Sequence, residues 1–291
     1  MKSLRTLFSL MLCFVFFAGT PSAQQSVLTL VYKDTGKPPY METSPDNSGL
    51  YFDLISRATQ KIGFDLRVVR LPKKRTYDML EAGEAELYAS GEFKDYRSNF
   101  LFYMPNGLYR HEEYWGMTKM SIPPLNSITE INHYGLTWVF ELGSSWPIKA
   151  AGYDVPYLER PNITIKRAID NLQNDRPFFF QFIKEEIEEY MKKNEIKSWK
   201  SIGIRIHESC CEGKSAPLYT AFARHSPLYS EEINPAYDKE KTLSAENYPH
   251  RLIPGTVPYR LQKALQEMRD SGEIKALARK YFGDDWDSVV H

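Results

Sequence analysis

Apolar and polar positions along this chain fall into two successive rounds of strand-like and helix-like patterning. Residues 27–32 are apolar on both faces and rich in β-branched side chains, the pattern of a buried strand. Residues 33–50 carry many Gly, Pro, Asp, Asn and Ser and read as a loop. Tyr51, Leu54, Ile55, Ala58 and Ile62 then recur at helical spacing, and Gly63 follows as a stop. Residues 65–71 predict a second strand, 74–82 a helix ending at Gly83, and 85–90 a third strand. Strands alternating with helices imply right-handed crossovers and a parallel sheet. Ligands bind beyond the carboxyl ends of the strands in such sheets. That rule gathers the loops 33–50, 72–75 and 90–97 around one site.

The pattern restarts near His133. Residues 135–140 predict a strand, 142–145 a turn, and a helix begins near Trp146 or Pro147, since proline suits the first helical turn. A helix over 163–172, a strand over 178–183, a charged helix over 185–193 and a strand over 202–206 complete a second α/β unit. Two helices, 259–269 and 273–281, close the chain, with Leu261, Leu265 and Met268 on one stripe and Ile274, Leu277 and Tyr281 on another. Residues 225–258 have several prolines and no periodicity, and no element is assigned there. There are no repeats or low-complexity tracts.

The first 23 residues have a different character. Lys2 and Arg5 precede an unbroken apolar run from Leu7 to Phe17, and small or turn residues lead to Ala23. This is the layout of a cleavable signal peptide. The run is shorter than the ~20 residues that a bilayer span needs. Leu12 before Cys13 is too bulky for a lipoprotein cleavage box. The mature chain is expected to start near Gln24 and to work outside the cytoplasm.

The chain has 37 basic and 37 acidic residues, and removing the leader leaves a net charge of about −2. No basic excess points to nucleic acid, and no later apolar run could span a membrane. The remaining length suits one large domain or two modest ones. Beyond the leader only Cys210 and Cys211 remain, and their adjacency excludes a disulfide framework. A structural loop, a vicinal disulfide, and a loose metal cluster with His207 are all open readings. A structural zinc site takes four ligands and no second cluster exists, so no metal or cofactor is expected.

Several stretches resemble the extracellular solute-binding protein family 3, the periplasmic receptors of polar amino-acid ABC importers. "KPPYMETSPDNSGLYFDLISRATQKIG" is similar to the family's opening turn and first helix, and "LPKKRTYDMLEAGEAELYASG" to its second unit. "DYRSNFLFYMPNGLY" resembles the approach to the hinge, "ELGSSW" the turn that opens the second lobe's site, and "YRLQKALQEMRDSGEIKALARKYFG" the terminal helix pair. The resemblance implies a type II periplasmic-binding-protein-like α/β fold with a ligand cleft between two lobes. Lobe 1 would comprise 24–115 and 221–291, and an inserted lobe 2 would comprise 116–220. The crossings are expected near 113–120 and 217–224.

The resemblance also assigns candidate ligand-binding residues. Arg97 matches the arginine that grips a ligand carboxylate, for which a planar guanidinium offers two parallel hydrogen bonds. A surface pair with Asp95 is the alternative. Gly143, Ser144 and Ser145 match an anion-binding turn, where backbone N–H groups and hydroxyls converge, or form an ordinary serine cap. Tyr40 would wall the cleft, Lys37 stands where many members have a stacking aromatic, and Arg75 could reach the site. Asp53 would cap or orient the first helix. Trp115 and Trp146 are either cleft aromatics or packing residues, and Trp146 is counted with the site. Amino-acid binders supply an aspartate for the α-ammonium in the second lobe. Phe182 and Ile183 occupy that region here, with Glu185 and Glu186 just beyond. A buried ammonium without a counter-charge would be costly, so a ligand with a carboxylate and no ammonium gains credibility.

The expected function is periplasmic binding of a small polar or carboxylate-bearing solute, by a monomer, for delivery to an ABC-importer permease. Two alternatives stand beside it. One is a dehydratase-like cleft enzyme, with Glu92 and Asp95 as the nearest acid/base candidates. The other is a receptor that presents its bound state to a sensor protein. "CCEGKS" has Glu208 where a phosphate-binding loop needs its first glycine. No nucleophile elbow or HExxH occurs, and no catalytic residue is assigned.

Overall fold

A computed structural model describes residues 26–290. The signal-peptide segment, residues 1–23, lies outside the described residues. The first unit runs β1 (Val27–Lys33), α1 (Leu50–Lys61), β2 (Asp65–Leu71), α2 (Lys73–Glu81), β3 (Leu87–Gly91), the single turn α3 (Asp95–Ser98) and the long β4 (Leu101–Glu112). The second runs β5 (Tyr114–Lys119), α4 (Glu130–His133), β6 (Thr137–Glu141), α5 (Trp146–Gly152), β7 (Tyr157–Arg160), α6 (Ile165–Gln173), β8 (Phe178–Ile183), α7 (Lys184–Lys193) and β9 (Ile204–His207). The chain then continues through β10 (Lys214–Ala223), a small hairpin of β11 (Glu231–Ile233) and β12 (His250–Leu252), and the helices α8 (Val257–Asp270) and α9 (Glu273–Phe282).

Two five-stranded sheets result, ordered β2-β1-β3-β10-β4 and β7-β6-β8-β5-β9. β1 pairs in parallel with β2 and β3, and β6 in parallel with β7 and β8. The expected wholly parallel sheets are mixed instead. β10 is antiparallel to β3 and β4, and β5 is antiparallel to β8 and β9. Both are the strands that enter a sheet straight from the other lobe, with no crossover helix to reverse them.

Each sheet is buried on both faces, which explains the continuous apolar runs. Leu28, Leu30 and Tyr32 of β1 face a core shared with α1, α8 and α9, while Val31 faces Tyr77 and Leu80 of α2. In β8, Phe179 and Phe180 point to opposite cores of the second lobe. Leu261, Leu265, Met268, Ile274 and Leu277 place the terminal helix pair on the first sheet. Asp53 does not cap α1; it accepts hydrogen bonds from Lys280 Nζ (2.7 Å) and Tyr281 Oη (2.8 Å), tying α1 to α9.

The first sheet ends at Glu112 and the second begins at Tyr114, so one residue, Glu113, separates the lobes on the outward path. The return runs through 208–213, because Lys214 already pairs with Glu112. This return lies upstream of the expected 217–224. Among the described residues no helix is long and apolar enough to cross a membrane.

Candidate functional site

A cavity of about 430 Å³ lies between the two sheets. Its floor comes from the first lobe: the loop after β1, the start of α2, the end of β3, α3, and the end of β4. Its roof comes from the turn after β6, the start of α6, the end of β8, and α7. These are the loops beyond the carboxyl ends of the strands, as such sheets require. Nine Lys and Arg residues line it against five Glu, so the wall carries excess positive charge.

Arg97 sits on α3, directly after the end of β3. Its Cζ lies 3.9 Å from the centroid of the Tyr77 ring, a cation–π stack that fixes the guanidinium plane. Nη2 donates to the Gly143 carbonyl across the cleft at 3.0 Å. No pair with Asp95 forms among the described residues; Asp95 is exposed. Lys73 and Glu141 approach to 3.4 Å, and Asn162 Nδ2 donates to Asp34 Oδ2 at 3.4 Å. The lobes therefore touch at three places around the cavity.

A buried charge network forms the floor beside the hinge. Glu112 pairs with Lys37 and accepts from the Tyr114 hydroxyl, and Arg110 Nε lies 3.2 Å from the same carboxylate. Glu92 lies between Arg110 (2.8 Å), Lys94 (3.0 Å) and Lys214 (2.6 Å). Burial pushes both carboxyls up, but the surrounding cations outweigh it. Glu112 is held below the ordinary carboxylate range, and Glu92 is drawn down to about 2. Burial also lifts the Tyr51 hydroxyl to about 12 and raises those of Tyr32, Tyr88 and Tyr114 above the usual phenol value, leaving neutral hydrogen-bonding groups around the cavity.

Of the residues expected at the site, Lys37, Arg97, Ser144, Ser145 and Trp146 line the cavity. Gly143 reaches it through its carbonyl on Arg97. Its φ of +86° is a glycine conformation, and a methyl there would lie 3.0 Å from Lys74 Cα. The turn has fewer free donors than expected, because the Ser144 N–H already donates to the Glu141 carbonyl. The Ser144 hydroxyl and Gln181 Oε1 are buried on the wall with no hydrogen-bond partner. Tyr40 does not wall the cleft: it lies under Lys37 and packs against Tyr51 and Phe282, with ring centroids 5.1 and 5.0 Å away. Arg75 is exposed on α2 and does not line the cavity. Trp115 packs at the edge of the second lobe's core and donates to Glu113. Glu186 lines the cavity along with Phe182 and Ile183, whereas Glu185 is exposed.

Sequence reasoning missed Arg110, Glu112, Lys94 and Lys214. A signal for two of them existed: Arg110 and Glu112 are two apart on an otherwise apolar strand, so both project from one face. Lys94 is only two residues from Glu92 on the same loop, whereas Lys214 carries no local signal, since only the sheet order brings it to Glu92.

Cys210 and Cys211 form a disulfide in the return segment, with Cys210 buried in the second lobe's core. His207 takes no part in a metal cluster. Its Nδ1 accepts the Leu125 N–H (3.0 Å) and its Nε2 meets Thr118 Oγ1 (2.7 Å). Burial, aided by Arg205, pulls its pKa to about 4, so it is neutral at pH 7. No group of three His, Cys, Asp or Glu that could hold a metal occurs among the described residues.

No family model and no curated protein matches the sequence. Solved structures do match. An ancestral arginine-binding protein bound to arginine is 16% identical, with a TM-score of 0.61 over 89% of this chain and 99% of the other. The GluR0 ligand-binding core from Nostoc punctiforme, in complex with L-glutamate, is 15% identical, with a TM-score of 0.58 over 88% of this chain and 99% of the other. A histidine kinase sensor domain with similarity to periplasmic binding proteins is 12% identical, with a TM-score of 0.61 over 92% of this chain and 99% of the other. The chain has the two-lobed α/β fold that these proteins share.

Proposed function

We propose that this chain is an extracytoplasmic solute-binding protein that closes its lobes over a small carboxylate-bearing solute and delivers it to the permease of an ABC importer. The observation that carries the reading is Arg97. It is clamped on Tyr77, bridges the lobes at one N–H, and has no other side-chain hydrogen bond among the described residues. Its remaining donors match a planar carboxylate, and the unpartnered Ser144 hydroxyl stands on the same wall. The cationic excess of the lining supports an anion over a cation. The signal-peptide pattern of 1–23 supports a periplasmic location, and the charge balance supports a partner other than nucleic acid. Solved structures of similar fold bind arginine or glutamate, which supports amino acids or related organic acids as the ligand class.

A role in catalysis is disfavoured by Glu92, the nearest acid/base candidate. A carboxyl near 2, flanked by three cations, is neither a proton donor nor an effective base at neutral pH. Presentation to a sensor protein is the second reading, favoured by the fold shared with a kinase sensor domain.

The test is a thermal-shift screen of the mature protein against amino acids, organic acids and cyclic acids, with chemical analysis of every hit. A ligand that binds only the native state raises the melting temperature. An unchanged carboxylate whose shift vanishes in Arg97→Met supports the reading. A consumed hit moves catalysis ahead, and a shift that survives Arg97→Met removes Arg97 from the site.

A further inference from the structure

The cavity contains the parts of an ammonium site already filled by the chain itself. Recognition of a primary ammonium needs a desolvated carboxylate and is strengthened by an aromatic face. Glu112 supplies the first, buried at 6% exposure and held by the Tyr114 hydroxyl. Tyr40 supplies the second, with its ring centroid 4.7 Å from Lys37 Nζ. The occupant is Lys37 Nζ, paired with Glu112. Its stem is fixed, because the Lys37 N–H donates to the Met41 carbonyl (2.7 Å) and the Met41 N–H donates back to the Lys37 carbonyl (3.0 Å). Those two bonds close the turn that carries Tyr40, so one short loop delivers both the cation and the ring beneath it.

We propose that Lys37 is a built-in ammonium that selects the ligand: it occupies the position of a ligand amine and restricts the cavity to carboxylates that carry none. This rests on the carboxylate-binding reading above. The charge arithmetic favours it. Glu92 is shared among Arg110, Lys94 and Lys214; Glu141, on the opposite lobe, approaches Lys73 through Oε2 at 3.4 Å while its buried Oε1 has no hydrogen-bond partner. A ligand ammonium at the floor would meet Lys37 and Arg110 with both nearby carboxylates already engaged. Like charges so placed cost affinity.

Two arms test it. The first needs no knowledge of the natural ligand. Lys37→Ala removes the tethered amine with its last three methylenes, and n-propylammonium chloride is added as the replacement. It should raise the melting temperature of Lys37→Ala by about 3 °C or more near saturation. The wild type and the Lys37→Ala/Glu112→Gln double variant should show only the shift given by sodium chloride. Equal shifts in all three proteins overturn the proposal. If the alanine variant does not fold, Lys37→Met, which keeps the apolar volume of the stem and vacates only the space of Nζ, is tested with ammonium chloride instead, and far-UV circular dichroism checks both.

The second arm uses acids matched except for the amine: glutarate with L-glutamate, succinate with L-aspartate. Wild type and Lys37→Arg should prefer the member without an amine, and Lys37→Met should shift preference at least tenfold toward the amino acid. A wild type that binds an amino acid as tightly as its matched acid, for instance through Glu186, overturns the proposal. A propylammonium rescue beside a wild type that binds no carboxylate would sustain the ammonium site while refuting the carboxylate reading, so the two failures are separable.

Discussion

Replacing Glu92 with glutamine should lower stability and raise anion affinity together. The carboxylate lies within 3.0 Å of cationic groups on Arg110, Lys94 and Lys214, with a side chain only 8% exposed. Its pKa falls from an ordinary value near 4.5 to about 2. A shift of that size corresponds to roughly 3 kcal/mol of folding free energy at pH 7. Because the folded value is depressed, this stabilisation is fully present above pH 4.5 and is lost as pH falls toward 2. Linkage puts the loss at about 2 kcal/mol by pH 3. Glu92→Gln removes the charge at every pH and leaves three cations beside the cavity. Urea unfolding followed by tryptophan fluorescence at several pH values measures the gap between variant and wild type. The gap should be roughly 3 kcal/mol at pH 7 and shrink to roughly 1 kcal/mol at pH 3. Affinity for an anionic ligand should increase, with a salt dependence steeper than that of wild type. A gap that does not change with pH, or one below about 0.5 kcal/mol at pH 7, would refute the claim that Glu92 organises these cations.

Arg97→Met should abolish carboxylate binding in calorimetric titration while leaving the circular dichroism spectrum intact, since among the described residues its only side-chain hydrogen bond is to Gly143; retained affinity would exclude it. Gly143→Ala should weaken both closure and binding, because φ is +86° and the new methyl would meet Lys74 Cα at 3.0 Å. Small-angle scattering at saturating ligand should then show less compaction than in wild type. Gly116→Ala should destabilise the second lobe by about 1–3 kcal/mol, since its methyl would fall 2.7 Å from Cys210 Sγ. Thermal unfolding checks this, and an unchanged melting temperature would mean that the Cys210 contact yields freely.

Legibility from sequence followed burial. Helix α1 and strands β1, β2 and β8 were readable because their apolar residues face cores on one or both sides, and period and length distinguish the two element types. β7 was not, because it is a short edge strand with exposed or half-buried side chains and carries no apolar pattern. β10 was hidden differently. Its small residues and Pro217 blur the alternation, and the ladder shifts register between Pro217 and Tyr219, where proline offers no N–H. That obscured strand is why the return between lobes was expected too late. At the site, residues carried by a local turn line the cavity, as with Lys37, Arg97 and Ser144. Tyr40 and Arg75 were misplaced because a sequence neighbour of a site loop can point to the core or to solvent. The Glu92 network as a whole was out of reach: it joins the ends of β3, β4 and β10, which only the fold makes adjacent, although Lys94 is a chain neighbour of Glu92.

The arrangement of Arg97 bears on how binding drives closure. A ligand shifts a conformational equilibrium only through contacts that differ between its states. With the guanidinium stacked on Tyr77, Arg97 is held on the first lobe, and when the lobes meet Nη2 donates to the Gly143 carbonyl. On the proposed function the discriminating groups would be those of the second lobe that line the cavity: the Ser144 and Ser145 hydroxyls, Gln181, and Trp146. Closure also gains the Arg97–Gly143, Lys73–Glu141 and Asn162–Asp34 contacts. Each is worth on the order of 1 kcal/mol or less at a half-exposed cleft edge. Three such contacts hold the closed state within a few kcal/mol of the open one without dictating it, so the reduction in apparent affinity from a sparsely populated competent state stays small. Under the proposed function Arg97 would serve twice, holding the ligand with one edge and the second lobe with the other. Its removal should reduce compaction as well as affinity, whereas loss of Ser144 should reduce ligand-driven closure while leaving the open-state carboxylate donors intact.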